Sequence, residues 1–324
     1  MHWARGWLTF FIGFWVLFSA LGGSALSSHA EAWQKVDANA EAGFYYDYYC
    51  YIPPALKAAS NASGRHALLV IPNNTGQPHD DIAFHETHVT AFLPKAQQLA
   101  DSVPAIALMP VFPRPAQYSD TLYTHALDRD TLETELPTMQ RLDRQLLAMV
   151  DHAHAMLQAR GIAAQRKILL MGFSASGMFA NRFAILHPGH VRAAAIGAPG
   201  GWPIAPISVW QNHALRYPIG IADIAALSGQ EFDEKTYIQI PHFFFMGDQD
   251  GNDSVTYSDG FDAQNKELIF ALFGDTPVER WEKAEMLYQS ISENAEFQLY
   301  EGVGHEVTPA MIRDVNQFLQ QALP

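Results

Sequence analysis

Strand-like apolar runs recur along the chain and alternate with segments of helical spacing. The apolar runs lie at 66–72, 104–112, 167–173, 191–199, 242–248 and 295–302. Apolar runs without polar alternation are typical of strands that are buried on both faces of a sheet. The pattern therefore predicts a mainly parallel sheet at the centre of the protein.

The segments between these runs carry helical patterns. Residues 137–161 begin with a proline, which is favoured at helix entrances, and they place apolar side chains three and four residues apart. Further helices are expected at 88–103, 175–188, 278–293 and 309–323. Alternating strands and helices predict an α/β fold in one domain over residues 31–324, with helices on both faces of the sheet.

One segment breaks this alternation. Residues 200–240 lie between two predicted strands and are rich in Trp, Tyr and Pro. A stretch of this length inside a compact domain is usually a lid or a binding loop. We therefore expect a cap or lid insertion at 200–240, and we place Trp202 among the candidate substrate-binding residues.

The first 30 residues have the pattern of a secretory signal peptide. Arg5 precedes an apolar run at 7–21, and small residues then allow cleavage after Ala30 or after Ala32. The alternative is an uncleaved membrane anchor at 7–26, because about 20 residues span a bilayer. The shorter apolar core favours cleavage, so we expect export to the periplasm or the cell exterior.

The net charge and the cysteine content exclude some kinds of binding partner and some kinds of structural site. The net charge is −14, and it becomes about −15 without residues 1–30, which hold one arginine and no acid. Such a charge argues against nucleic acid or an anionic membrane as the main partner. Cys50 is the only cysteine, so the chain can form neither an internal disulfide nor a cysteine-based zinc site.

Two serines follow the predicted strand 167–173, where it runs into a predicted helix. A nucleophilic serine at such a turn needs small residues two positions before and after it, because strand and helix pass close together there. Ser174 has Gly172 and Ser176 at these positions, whereas Ser176 would have the bulky Met178 after it. Ser174 is therefore the candidate nucleophile, although the motif expects glycine at 176. The alternative role for Ser174 is a helix cap.

The order of the remaining candidates supports this interpretation. Acidic residues follow the strand 242–248, and His305 lies in a glycine-flanked loop after the last predicted strand. The α/β-hydrolase triad has its serine, acid and histidine in this order along the chain. With the motifs "PNNTG", "PVFPRP", "YTHALDRDTL" and "GFSASGMFANRF", the chain from residue 66 onward resembles the α/β-hydrolase superfamily. More narrowly, it is similar to exported bacterial esterases and polyester depolymerases, which implies an ester substrate and no cofactor.

The resemblance also implies which residues complete the site. The pattern of strand and then Gly-x-x-Asp maps onto Gly247 and Asp250, while Asp248 and Asp253 remain alternatives for the triad acid. The oxyanion donors should be backbone N–H groups, one of them from Ala175.

The second oxyanion donor should come from the loop after the strand 66–72. Pro72 has no N–H, so Asn73, Asn74 or Thr75 must serve, and the family offset favours Asn74. The alternative is that Asn73, Asn74, Thr75 and Gly76 form a simple turn.

Two segments resemble metal sites. Residues 248–259 place acids as a calcium loop does, but they lack its glycine and its final glutamate. Residues 79–88 hold three histidines, with a motif one residue short of HExxH. We predict no metal at either segment.

His125, Asp128 and Arg129 form a short polar cluster. We favour a salt bridge that fixes their loop, and the alternative is a substrate-binding role for His125 beside Ser174.

The sequence thus predicts a serine hydrolase that cleaves carboxylic esters through Ser174, Asp250 and His305, with an acyl-enzyme intermediate. A serine peptidase of the same fold is the nearest alternative. Two non-enzymatic alternatives are a binding protein on a hydrolase scaffold and a calcium-dependent adhesive module.

Overall fold

The computed structural model of the protein describes residues 32–58 and 64–323. The predicted signal peptide at 1–30 and the alternative anchor at 7–26 lie outside these residues. Of the helices that are described, none is long and apolar enough to cross a membrane.

Eight strands form one mixed sheet, and two short strands form a separate hairpin. The strands are β1 (Trp33–Val36), β2 (Tyr48–Tyr51), β3 (Leu68–Val70), β4 (Ile106–Pro110), β5 (Ile168–Phe173), β6 (Val191–Gly197), β7 (Val209–Trp210), β8 (His213–Ala214), β9 (His242–Gly247) and β10 (Ala295–Tyr300). The order in the large sheet is β1-β2-β4-β3-β5-β6-β9-β10. All neighbours from β4 to β10 are parallel, so the predicted mainly parallel sheet is confirmed.

The sequence pattern did not predict β1 and β2, which add an antiparallel edge next to β4. Each is only four residues long, and β1 contains the polar residues Gln34 and Lys35. Neither strand carries the long apolar run by which a central strand is recognised.

Helices cover both faces of the sheet, as predicted. The helices are α1 (Pro54–Ala58), α2 (Ile82–Ser102), α3 (Arg129–Glu133), α4 (Leu142–Ala159), α5 (Ala175–Leu186), α6 (Ile224–Ser228), α7 (Glu234–Tyr237), α8 (Ala263–Phe273), α9 (Pro277–Gln289) and α10 (Pro309–Gln321). Apolar side chains of α2 and α10 pack on one face of the sheet. Those of α4, α5 and α9 pack on the other face.

Two helix boundaries differ from the predictions. The helix expected from 137 begins at Leu142, because Arg141 has a positive φ of 52° and a turn precedes it. The helix expected from 88 begins at Ile82, where Asp81 caps it by accepting from the Ala83 N–H at 2.9 Å.

The insertion at 200–240 is packed onto the protein. It contains the β7–β8 hairpin, α6 and α7, and its apolar side chains share a cluster with α8. Trp202 is 1% exposed and stacks on Phe273 of α8 with 4.1 Å between ring centres. Movement of this insertion as a lid stays a prediction.

The strand order places a crevice between β3 and β5. The chain goes from β3 to β4 on one side, and after β4 it returns past β3 to form β5 on the other side. Where the direction of winding reverses in this way, the loops at the carboxyl ends of the two strands diverge and leave room for a ligand. The loop after β3 and the turn at Ser174 border this crevice.

Candidate active site

Ser174 lies at the sharp turn between β5 and α5. Its backbone has φ 61° and ψ −127°, a positive-φ conformation that costs a residue with a side chain roughly 1–3 kcal/mol. Its N–H donates to the carbonyl oxygen of Gly197 on β6 at 2.9 Å, and its own carbonyl oxygen accepts from the Met178 N–H at 2.9 Å. This strained turn places a half-buried serine at the carboxyl edge of the sheet, as in a nucleophile elbow.

The close packing of this turn explains which neighbours must be small. A Cβ added to Gly172 would lie 2.1 Å from the carbonyl oxygen of Ser176. A Cβ added to Gly177 would lie 2.4 Å from the carbonyl oxygen of Gly197. Both approaches are too close for any side chain, so glycine is required at 172 and 177.

Ser176 fits the turn because its hydroxyl group is used within it. Its Oγ–H donates to the Phe173 carbonyl oxygen at 2.9 Å, and its Oγ accepts from the Phe173 N–H at 3.0 Å. The residue is 6% exposed. The hydroxyl group therefore closes the turn, which gives the serine at this position a structural role.

His305 and Asp250 are joined by a hydrogen bond. His305 Nδ1–H donates to Asp250 Oδ2 at 2.8 Å, and Asp250 is 3% exposed. The Asn252 N–H donates to the other carboxylate oxygen at 2.9 Å. Gly247 at the end of β9 permits this contact, because an added Cβ would lie 2.0 Å from the carbonyl oxygen of Val303 in the histidine loop.

The other two candidate acids have different partners. Asp253 forms an ion pair with the fully buried Arg280, at 2.6 Å from Nη2 and 3.1 Å from Nη1. Asp248 accepts from the Gly302 N–H at 2.8 Å. Of the three acids, Asp250 alone is hydrogen-bonded to His305.

His305 lies beside the serine turn. Its ring centre is 4.9 Å from that of Phe173, the residue before Ser174. Its Nε2 accepts from Asn252 Nδ2 at 3.2 Å. Among the described residues no hydrogen bond joins Ser174 to His305, so a working triad stays a prediction.

The predicted oxyanion donors lie on the two loops that border the crevice. Ala175 is the first residue of α5, and the N–H groups of a first helical turn have no partner inside the helix. Asn74 is exposed, and its Oδ1 accepts from the Gly76 N–H at 3.1 Å. The Thr75 N–H is directed at His125 Nδ1 at 3.4 Å, which favours Asn74 over Thr75 as the donor.

His125 lies behind this loop. It is 1% exposed, and its Nε2–H donates to the Phe112 carbonyl oxygen at 2.8 Å. Burial lowers the pKa of His125 to about 3, so the ring is neutral at physiological pH and Nδ1 is an acceptor. The side chain thus supports Thr75 through Nδ1, and its predicted contact with substrate stays a prediction.

The predicted salt bridge between Asp128 and Arg129 does not form. Asp128 instead caps α3 by accepting from the N–H groups of Asp130 and Thr131. Arg129 pairs with Asp223 of the insertion at 2.6 Å. Arg129 pairs with Asp223 and not with its sequence neighbour Asp128, because the Asp128 carboxylate already caps α3.

Trp202 lies inside the insertion's apolar cluster. Its Nε1–H donates to the Ile219 carbonyl oxygen at 2.9 Å. The side chain therefore holds the insertion together, and its predicted role in substrate binding stays a prediction.

The sequence patterns did not identify Arg114, which connects three loops around the crevice. Its Nη2 forms a buried ion pair with Asp259 at 2.7 Å, and its Nη1 donates to the Gly76 carbonyl oxygen at 3.3 Å. Its guanidinium group lies 3.7 Å from the centre of the Tyr123 ring. The motif "PVFPRP" contains the residue, but its acidic partner is 145 positions away and no local signal pairs them.

The carboxylates and histidines of the two metal-like segments have protein partners. Asp253 and Asp259 pair with arginines. His85 is fully buried, with hydrogen bonds to Thr75 Oγ1 at 2.7 Å and to the His79 carbonyl oxygen at 2.8 Å. Over residues 32–58 and 64–323, no group of three or more His, Cys, Asp or Glu side chains could hold a metal ion.

Comparison with solved structures agrees with this architecture. Poly(aspartic acid) hydrolase-1 from Sphingomonas sp. KT-1 is 16% identical with a TM-score of 0.53, over 86% of this chain and 93% of that one. A poly(3-hydroxybutyrate) depolymerase from Bordetella parapertussis is 17% identical with a TM-score of 0.50, over 88% and 86%. The chain has the α/β-hydrolase fold. No family model matches the sequence, and no curated protein does.

The α/β-hydrolase fold gives the positions described above a common geometry. Its nucleophile sits on the strand-to-helix turn, and its oxyanion donors come from the next residue and from the loop after β3. Ser174 lies on the strand-to-helix turn, Ala175 follows it and Asn74 lies in the loop after β3, while their roles as nucleophile and oxyanion donors stay predictions.

A cavity of about 440 Å³ lies elsewhere, at the C-terminal end of α5, where Leu186 and His187 line it. The 12 residues of α5 separate it from Ser174 by about 18 Å, so it is not part of the candidate site.

Proposed function

We propose that the protein is a serine hydrolase that cleaves carboxylic esters through Ser174, His305 and Asp250. The observation that carries the proposal is the 2.8 Å hydrogen bond between His305 and Asp250 beside the strained serine turn. A buried carboxylate that accepts from Nδ1–H holds the imidazole in the tautomer whose Nε2 can accept a proton. Such an arrangement is what a serine needs to act as a nucleophile.

The reaction would proceed by acyl transfer. The Asn252 N–H that donates to Nε2 first moves aside. His305 Nε2 then takes the proton of the Ser174 hydroxyl group as Oγ attacks the ester carbonyl carbon, and Asp250 stabilises the imidazolium. The N–H groups of Ala175 and Asn74 donate to the oxyanion. The C–O bond then breaks, the leaving oxygen takes the proton from Nε2, and water activated by His305 hydrolyses the acyl-enzyme.

The choice of ester rests on the fold neighbours and on the turn. One neighbour is named as a poly(3-hydroxybutyrate) depolymerase, which favours an ester. The other is named as a poly(aspartic acid) hydrolase, which keeps an amide bond as the second candidate. The serine at 176, where the motif expects glycine, is explained by its bonds to Phe173 and therefore does not argue against catalysis.

Two measurements test the proposal. We expect turnover of p-nitrophenyl acetate and butyrate, lost in His305→Ala, and slower turnover of the corresponding p-nitroanilides. We also expect covalent labelling by a fluorophosphonate probe that is abolished by Ser174→Ala and retained by Ser176→Ala. Labelling of Ser174→Ala equal to that of the wild type would refute the assignment. Absence of both labelling and turnover in the wild type would favour a binding protein.

A further inference from the structure

Asn252 is held against the catalytic pair by contacts on three sides. Its Nδ2 lies 3.2 Å from His305 Nε2, and its backbone N–H donates to Asp250 Oδ1 at 2.9 Å. Its Oδ1 accepts from the Tyr257 hydroxyl group at 3.3 Å. Both Asn252 and Tyr257 are half-buried, so this carboxamide has a defined orientation and still reaches solvent.

The tautomer of His305 determines the role of this carboxamide. Nδ1 carries the proton that is donated to Asp250, so Nε2 is an acceptor and Asn252 Nδ2 is the donor. A carboxamide nitrogen carries two hydrogens. One faces Nε2, and no hydrogen bond within the described part of the chain uses the second. Asn252 can therefore donate one further hydrogen bond to a bound molecule.

The proposed chemistry places the leaving group next to this donor. When the ester C–O bond breaks, its electron pair stays on the leaving oxygen, and that oxygen takes the proton from Nε2. The transfer requires the oxygen to lie about 2.6–3.2 Å from Nε2. Nε2 has one lone pair, which accepts from Asn252 Nδ2 at 3.2 Å in the resting site. The leaving oxygen must therefore take the place of this N–H at Nε2, which brings the leaving group against the displaced Asn252 carboxamide.

We propose that Asn252, oriented by Tyr257, is a specificity-determining residue that selects leaving alcohols with a second oxygen close to the scissile bond. An ether or carbonyl oxygen at this position accepts an N–H of Asn252 once the carboxamide has moved off Nε2, whereas an alkyl chain leaves that donor unpaired. This inference rests on the proposed ester hydrolysis and adds the chemistry of its leaving group.

A pair of esters of equal length tests the selection. The ester 2-methoxyethyl butyrate differs from n-butyl butyrate by one ether oxygen in place of a methylene group. Both give the same butyryl-enzyme, so kcat/KM reports only the steps up to loss of the alcohol. The quantity to measure is the ratio of the two kcat/KM values in the wild type and in Asn252→Leu. Any difference in intrinsic reactivity between the two esters is the same for both proteins, so it cancels when their ratios are compared.

We expect this ratio to fall roughly three- to tenfold in Asn252→Leu, which corresponds to loss of one hydrogen bond. Tyr257→Phe should lower the ratio by a smaller factor, because it removes only the group that orients the carboxamide. Gln249→Leu removes an exposed carboxamide of the same loop and should leave the ratio unchanged. The rate of fluorophosphonate labelling should stay within about twofold of wild type in Gln249→Leu. Measurable labelling of Asn252→Leu and Tyr257→Phe shows that Ser174 remains reactive in these variants.

Each other outcome contradicts the inference. An unchanged ratio in Asn252→Leu shows that the leaving group does not contact the carboxamide. An equal loss for both esters shows that Asn252 only positions His305. If the wild type hydrolyses neither these esters nor p-nitrophenyl butyrate, the proposed function itself is wrong. Turnover of p-nitrophenyl butyrate with no preference between the two esters refutes the leaving-group inference alone.

Discussion

The serine turn is closely packed at three contacts. The backbone at 172 approaches that at 176, the backbone at 177 approaches β6, and the hydroxyl group of Ser176 bonds to both polar groups of Phe173. Because the first two contacts are between backbone atoms, the turn cannot relieve them by changing a rotamer. The positive φ of Ser174 is maintained by this packing.

Gly172→Ala should therefore destabilise the protein and abolish hydrolysis. The added methyl group would overlap the Ser176 carbonyl oxygen at 2.1 Å, and overpacking of this kind costs about 1–3 kcal/mol. The measurement is the free energy of unfolding in urea. Gly189→Ala is the control, because nothing lies within 4 Å of a Cβ added there. Equal stability of the two variants would show that the turn can relax.

At the scale of elements, the insertion at 200–240 packs apolar side chains against the protein, although most of its residues lie outside helices and strands. Its apolar side chains meet α8, a helix that the sequence pattern did not predict, and Met178 of α5 belongs to the same cluster. The aromatic composition of the insertion therefore serves its own core, in addition to any contact with substrate.

Trp202→Ala separates these two roles. We expect a loss of about 3–5 kcal/mol in the free energy of unfolding, since the side chain is 1% exposed and stacked on Phe273. Val209→Ala, at a position of the same insertion that is 55% exposed, should change it by about 0.5 kcal/mol or less. A Trp202→Ala protein of normal stability with reduced kcat/KM would instead support the predicted contact with substrate.

At the scale of the whole molecule, the loops after β3, β4, β9 and β10 lie at the carboxyl edge of the sheet together with the serine turn after β5. The Asp250–His305 bond joins the loops after β9 and β10, and Arg114 joins those after β3, β4 and β9. The site thus depends on the folding of the entire sheet, so its activity and the stability of the fold are linked.

This stability should decrease in mild acid because neutral histidines are buried. Burial lowers the pKa of His242 to about 4, and its ring lies beside Tyr237 and Tyr288, whose pKa values burial raises. In the unfolded chain the histidine binds a proton near pH 6.5. Between these pH values the unfolded state binds more protons, so the free energy of unfolding falls as the pH falls.

His242→Phe should reduce this pH dependence. The histidine contributes a loss of about 2 kcal/mol between pH 7 and pH 5, which phenylalanine would remove. The test is urea unfolding of both proteins at the two pH values. An identical pH dependence in the variant would show that His242 is not buried in its neutral form.

The sequence by itself determined the central strands, most of the helices and the serine turn. These features depend on residues close together in the chain: apolar runs of strand length, helical spacing, and the steric needs of Gly172 and Ser176. The order of serine, acid and histidine further restricted the candidates, but it left three acids for one histidine.

Only the tertiary structure decided which side chains meet. The Asp250–His305 bond joins residues 55 positions apart, the Asn252–His305 contact joins residues 53 apart, and the Arg114–Asp259 pair joins residues 145 apart. Arg129 likewise pairs with the distant Asp223 and not with the adjacent Asp128. Such pairings depend on how the loops after separate strands converge at one edge of the sheet, and no local pattern of residues encodes that convergence.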